Sequence, residues 1–272
     1  MKVPAFKQLL KWLTIIAIAY VAIGIALYFL QDKFLFHPRK LPADYQYQFN
    51  VPFRETIIPV SAQKNLSYVQ FSVPDSVFKG IVLYFHGNRE NINRYAPFAG
   101  NFTSRGYEVW MMDYPGFGKS TGNRTEKGMY EDALTLYRIA IKKVAADSII
   151  IYGKSLGTGI ASQLASIRDC RRLILETPYY SMDALARHYF FMYPVISMSK
   201  YSFPTHAYLE RTQVPVCIFH GTRDRVIPYS QSKRLTKKRP GIELVTIEKG
   251  RHNDLSNFPL FQDKLDSLLG SY

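Results

Sequence analysis

The strongest constraint on the fold is a series of short runs that are apolar on both faces. They read "KGIVLYFHGN" (79–88), "GYEVWMMDYPGFGKS" (106–120), "SIIIYG" (148–153), "RRLILETP" (171–178), "VPVCIFHG" (214–221) and "IELVTIEKG" (242–250). Each breaks off into glycine, histidine or a charged residue. A strand buried on one face alternates in hydropathy, whereas one buried on both is continuously apolar. Between the runs lie segments such as "EDALTLYRIAIKKV" (131–144), with apolar residues at helical spacing. This alternation predicts the α/β class, a mostly parallel central sheet with helices on both faces. Upstream, "RETIIPV" and "LSYVQFSV" read as two further short strands joined by a polar turn. At 272 residues and 47% hydrophobic content, the chain can bury one large core.

Before that domain, Trp12 to Leu30 runs without a charge: "WLTIIAIAYVAIGIALYFL". Its helical rise is roughly 28 Å, close to the hydrocarbon thickness of a bilayer. Trp12 and Tyr28 suit the two interfaces, and Lys2, Lys7 and Lys11 precede the run. A cleaved signal peptide is the competing reading. The run is long for one, and "QDKFLFHP" offers no small-x-small cleavage site. We therefore expect residues 1–37 to form a retained, single-pass membrane anchor and 38–272 the folded domain. Lys33, Arg39 and Lys40 follow the span, so flanking cations balance. The N-terminal amine tips the expectation toward a domain on the non-cytoplasmic side.

In parallel sheets the loops at the carboxyl ends of the strands build the site. Gly153-Lys154-Ser155-Leu156-Gly157 lies at such an end, where "SIIIYG" gives way to "TGIASQLAS". It matches G-x-S-x-G, a turn that exposes a serine hydroxyl in front of a helix N-terminus. A serine hydroxyl is a weak nucleophile and needs a base, an acid that orients the base, and oxyanion donors. Asp224 follows "CIFHG" and His252 follows "ELVTIEKG", so Ser155, Asp224 and His252 occur in α/β-hydrolase order. His86-Gly87-Asn88 ends an earlier strand, which points to the backbone N–H groups of Asn88 and Leu156 as the oxyanion hole. His86, Gly87, Gly153, Gly157 and Glu176 are supporting candidates. Taken singly, His252 reads as a surface histidine and Asp224 as a helix cap; their order and common placement argue otherwise. "GFGKST" and "GKSLG" imitate phosphate loops, but Asp113 and Ser148 stand where the Walker pattern requires glycine.

"YFHGN", "DYPGFGKS", "YGKSLGTG", "LETPY", "HGTRDRVIP" and "KGRHNDL" resemble the motif series of the α/β-hydrolase superfamily over residues 50 to 269. The sequence is most similar to its small membrane-anchored serine hydrolases, which include ABHD-type depalmitoylating thioesterases and uncharacterised bacterial members. The resemblance implies the α/β-hydrolase fold, Ser155 as nucleophile, Asp224 as acid and His252 as base. It also implies a short lid insertion at about 178–213. That segment is aromatic, with Tyr179, Tyr180, Tyr189, Phe190, Phe191, Tyr193, Tyr201 and Phe203, and reads either as sheet packing or as an acyl-chain pocket.

The expected activity is hydrolysis of a small-molecule or lipid-like acyl ester or thioester, with no metal and no organic cofactor. A serine peptidase on the same triad and a non-catalytic binding protein on a hydrolase scaffold are the alternatives. Net charge is +14, which suits an anionic surface. No zinc-finger or RNA-binding signature is present, so no nucleic-acid partner is expected. Cys217, inside an apolar run, is expected to pack as a small hydrophobe. Asp224 is preferred over Glu176 as the partner of His252, leaving Glu176 to shape the site or to hold a loop through backbone N–H groups.

Overall fold

A computed structural model describes residues 5–270; Lys2, one of the cations expected to precede the span, lies outside them. Eight strands form one sheet in the order β10-β9-β8-β7-β4-β6-β3-β2. β4 (Gly80–Phe85), β6 (Tyr107–Met112), β7 (Ile149–Lys154), β8 (Arg172–Glu176), β9 (Val216–Gly221) and β10 (Glu243–Ile247) are mutually parallel. β2 (Phe53–Ser61) and β3 (Lys64–Phe71) form the expected hairpin and add antiparallel strands at one edge. The edge strand β2 is largely exposed and carries Pro59 beside a register shift, features that blunt edge-to-edge pairing.

β4, β6, β7 and β9 are buried at every position, and this is why their sequences do not alternate. Successive residues feed two separate cores. Leu83, Ile151, Leu173 and Ile218 pack on one side. Val82, Ile150, Ile174 and Cys217 pack on the other. Helices Glu126–Ala140 and Gly157–Ala165 cover the first side and Pro259–Gly270 the second. Thr125 starts the first of these helices, accepting the Gly128 N–H at 3.0 Å. Cys170 and Cys217 are both free and buried.

A single helix, α1 (Ala5–Leu35), precedes the domain. It is long and apolar enough to cross a membrane, and its hydrophobic window is not buried by the rest of the chain. Core packing reaches the junction expected between residues 37 and 38. Phe36 is buried in the core at 3% exposure, and β1 (His37–Pro38) pairs in parallel with β5 (Arg89–Glu90). The core therefore extends back to Phe36, an aromatic side chain one residue past the helix.

The lid segment divides in two. Tyr179, Tyr201 and Phe203 are buried in the core. Helix Met182–Tyr189 and the short helix Val195–Met198 stand off the sheet, and between them Phe190, Phe191 and Met192 are exposed. The packing reading thus applies to the first part, and the second is left uncovered by the sheet.

Candidate active site

Ser155 terminates β7 with a left-handed backbone, φ +52°. For a residue with a Cβ this conformation costs on the order of 1–3 kcal/mol, so the surroundings must hold it. Its N–H donates to Glu176 O at 2.9 Å. Its carbonyl accepts from Thr158 Oγ1 at 2.6 Å and from Thr158 N at 3.0 Å. The flanking glycines do not supply the left-handed turn; they let the following helix approach the sheet. A Cβ on Gly153 would stand 2.7 Å from the Ala161 Cβ, and one on Gly157 would drive into the Phe85 carbonyl.

His252 comes from the loop after β10 and Asp224 from the loop after β9. His252 Nε2 lies 2.9 Å from Ser155 Oγ, and His252 Nδ1 lies 2.7 Å from Asp224 Oδ2. The carboxylate fixes the proton on Nδ1, leaving Nε2 free to accept the serine proton. The other Asp224 oxygen accepts Val226 N–H at 2.7 Å and Ile227 N–H at 2.9 Å. Burial by itself would raise the pKa of Asp224. Hydrogen bonds from His220 and His252 outweigh that and hold the carboxyl well below the usual carboxylate range. A hydroxyl, imidazole and carboxylate in this line can pass a proton from oxygen to nitrogen while the oxygen attacks a carbonyl.

The chain after β4 passes close to Ser155, with Gly87 alongside its Cβ. Among the described residues, neither the Asn88 N–H nor the Leu156 N–H is spent on a protein acceptor. Asn88 is held from the other side: its Nδ2 donates to Leu35 O at 2.6 Å, and its carbonyl accepts His37 N–H at 2.9 Å. His86 is fully buried, 3.3 Å from Asp113 Oδ1 through Nε2 and stacked on Tyr95. It braces the loop and does not reach Ser155.

Glu176 makes no bond to His252. Its carboxylate takes the Lys154 ammonium and the Tyr152 hydroxyl, not the backbone N–H groups expected for it. Lys154 and Glu176 are directly paired residues of β7 and β8, and both are almost fully buried. Sequence reasoning gave Lys154 no role beyond its place in the G-x-S-x-G turn. The available signal was a lysine and a glutamate closing consecutive apolar strands. It also missed His220, whose Nε2 lies 3.3 Å from Asp224 Oδ2 and whose Nδ1 accepts Ser232 Oγ–H at 2.6 Å.

A cleft of about 340 Å³ opens over Ser155 and His252, with Phe34, His37, Arg89, Arg94 and Tyr95 among its walls. Burial pushes the Tyr95 phenol up to about 12, so it lines the cleft as a neutral group. Among the described residues no His, Cys, Asp and Glu are grouped to hold a metal ion.

The family model Hydrolase_4, described as serine aminopeptidase S33, matches residues 77–208. Alpha/beta hydrolase domain-containing protein 17C of Xenopus tropicalis is 28% identical over 197 residues, covering 69% of this chain and 61% of that protein. Lysophosphatidylserine lipase ABHD12 of Danio rerio is 32% identical over 177 residues, covering 57% of this chain and 46% of that protein. The chain has the α/β-hydrolase fold. Solved structures carry the same fold. The Pyrococcus furiosus esterase Pf2001 superposes with a TM-score of 0.65 at 17% identity, over 87% of this chain and 97% of that one. Est1E of Butyrivibrio proteoclasticus gives 0.64 at 18% identity, over 79% and 97%. The chain spans less than two thirds of the length of these two curated relatives. The family match includes Asn88 and Ser155 and stops before Asp224 and His252, so the association of these two residues with Ser155 stands on geometry and chain order.

Proposed function

We propose that the chain is a membrane-anchored serine hydrolase that cleaves carboxylic esters or thioesters through an acyl-enzyme. The observation that carries this reading is the unbroken line from Asp224 through His252 to Ser155, with 2.7 Å and 2.9 Å separations, on a serine held at φ +52°. Ser155 Oγ attacks the substrate carbonyl and its proton passes to His252 Nε2. The Asn88 and Leu156 N–H groups receive the oxyanion. Collapse of the tetrahedral intermediate expels the alkoxide or thiolate, which takes the proton from His252. Water, deprotonated by His252, then attacks the acyl-Ser155 ester and releases the carboxylic acid. Asp224 keeps the imidazole in its productive tautomer throughout. Residues 12–30 of α1 hold the enzyme in the bilayer as a single span, with the domain on the non-cytoplasmic side.

The ester reading is favoured over an aminopeptidase by the charge around the cleft. Arg89 and Arg94 line it, and the nearby Glu90 is paired with Arg94 at 2.7 Å. Such walls repel a substrate ammonium and suit a neutral or anionic ester. The relatives named as an esterase and a lysophosphatidylserine lipase fit this choice.

The test is labelling with a fluorophosphonate probe, followed by turnover on esters, thioesters and aminoacyl amides. Wild type should label at Ser155 and prefer ester or thioester, and Ser155→Ala should neither label nor turn over. Full labelling of Ser155→Ala, or faster cleavage of the aminoacyl amides, defeats the proposal.

A further inference from the structure

The chain carries a second apolar feature that the triad does not use. Leu27 and Phe34 of α1 face Phe190, Tyr193 and Met198 of the lid across a narrow apolar groove of about 90 Å³. Phe34 lines both this groove and the cleft over Ser155, so the two adjoin at its side chain.

The groove stays in register because the lid is fastened to α1. The Tyr20 and Tyr193 rings stack at 4.6 Å with their planes 5° apart. Tyr20 Oη donates to Met192 O at 2.7 Å. Gln31 spans the gap, donating to Met198 O at 3.1 Å and accepting Lys200 N–H at 2.7 Å. Tyr201 Oη donates to Asp32 Oδ1 at 2.7 Å. Gly24 permits the approach, since a Cβ there would stand 3.3 Å from the Tyr193 ring.

These contacts also fix the depth of the lid. Tyr20 sits inside the charge-free run of α1, about 16 Å of helix rise before Gln31. A hydroxyl at that depth needs a partner, because lipid offers none, and the Met192 carbonyl is that partner. From Tyr189 to Ser199 the lid has no charged residue; Arg187 and His188 precede this stretch and Lys200 follows it. Phe191 is 76% exposed and Met192 65%. Lys200 stands over the Tyr28 ring at 5.5 Å, where an interfacial aromatic and a cation belong together. An uncharged aromatic tip, bracketed by cations and bonded to a spanning helix, is built to enter the same leaflet.

We infer that the groove between α1 and the lid is the acyl-chain site, opening within the leaflet and leading the chain of a membrane-dissolved substrate to Ser155. This rests on the reading of Ser155 as nucleophile and of α1 as a span. It makes α1 a wall of the substrate site as well as an anchor. The occupant is a single acyl chain, since the groove is narrow, apolar and joined to the cleft at Phe34.

The test uses the full chain in phosphatidylcholine vesicles and an alkyl phosphonofluoridate whose ten-carbon chain ends in a diazirine. Ser155 Oγ bonds to phosphorus, fluoride leaves, and His252 takes the proton. Irradiation then marks whatever holds the chain end. Cross-links in the peptides carrying Leu27–Phe34 and Phe190–Met198 are the expected result. A Ser155 adduct whose cross-links fall elsewhere overturns the groove and leaves the hydrolase reading intact. No adduct at Ser155 overturns both. As a second measurement, Leu27→Trp should lower kcat/KM for a dodecanoyl ester relative to an acetyl ester by about tenfold. An unchanged ratio in an active variant contradicts the groove.

Discussion

Two regions meet at Phe34 and are built on opposite principles. At the strand ends, Ser155, Asp224, His252, Lys154 and Glu176 are all buried, and each is held by more than one hydrogen bond or by an ion pair in a strand register. In the arch formed by α1 and the lid tip, large apolar side chains are exposed and polar contacts are few and peripheral. The first region keeps reacting groups in one geometry, which catalysis requires. The second is satisfied by its surroundings rather than by itself, which suits a surface made for lipid. Substitutions should therefore disable chemistry or folding at the strand ends, and in the arch alter membrane behaviour or chain-length preference with little effect on folding.

The largest effect is expected at Asp224. Asp224→Asn keeps shape but can select the wrong imidazole tautomer, and in chymotrypsin-like serine proteases the matching change lowers turnover about ten-thousandfold. A loss of several orders in kcat on an acetyl ester is expected. If Glu176→Gln loses more turnover than Asp224→Asn, the acid is misassigned.

Next comes the buried pair. Glu176→Gln leaves the Lys154 ammonium buried without its carboxylate, which should cost about 3–5 kcal/mol of stability. Lys154→Met combined with Glu176→Gln should recover a large part of that. Urea denaturation of the single and double variants measures it. Additive losses would show that the two residues do not act as a pair.

A smaller effect is the acid dependence of Asp224. Its folded-state pKa lies below the ordinary value of 3.8, so its contribution to stability is present above that value and disappears as pH falls through the folded pKa. The stability gap between wild type and Asp224→Asn should be flat at neutral pH and narrow below pH 3.8. A gap that widens on acidification contradicts the sign.

The smallest change is expected in the arch. Phe191→Ser should shift stability in detergent by less than about 0.5 kcal/mol, while weakening the burial of a tryptophan reporter placed at Met192 in vesicles. Phe36→Ala, just past the end of α1 and outside the arch, should cost about 3–5 kcal/mol because Phe36 is in the core. Equal losses at the two phenylalanines would erase the distinction between the regions.

Much of the fold and the outline of the site were legible because their signals are local. Continuous apolar runs announce strands buried on both faces, and an uncharged stretch from Trp12 to Leu30 announces a helix that nothing in the chain needs to cover. Ser155, Asp224 and His252 stood out because parallel sheets gather their chemistry at strand ends. Tertiary structure decided what depends on register and on distant approach. Lys154 meets Glu176 only because β7 pairs with β8 at that residue. His220 bears on Asp224 because both are folded against one loop. The left-handed residue is Ser155 itself, since the neighbouring glycines are needed where the helix touches the sheet. Phe36 belongs to the core and Phe191 to the surface although both are phenylalanines beside helix ends. Composition states how much apolar surface a segment carries; only the packed chain decides what covers it.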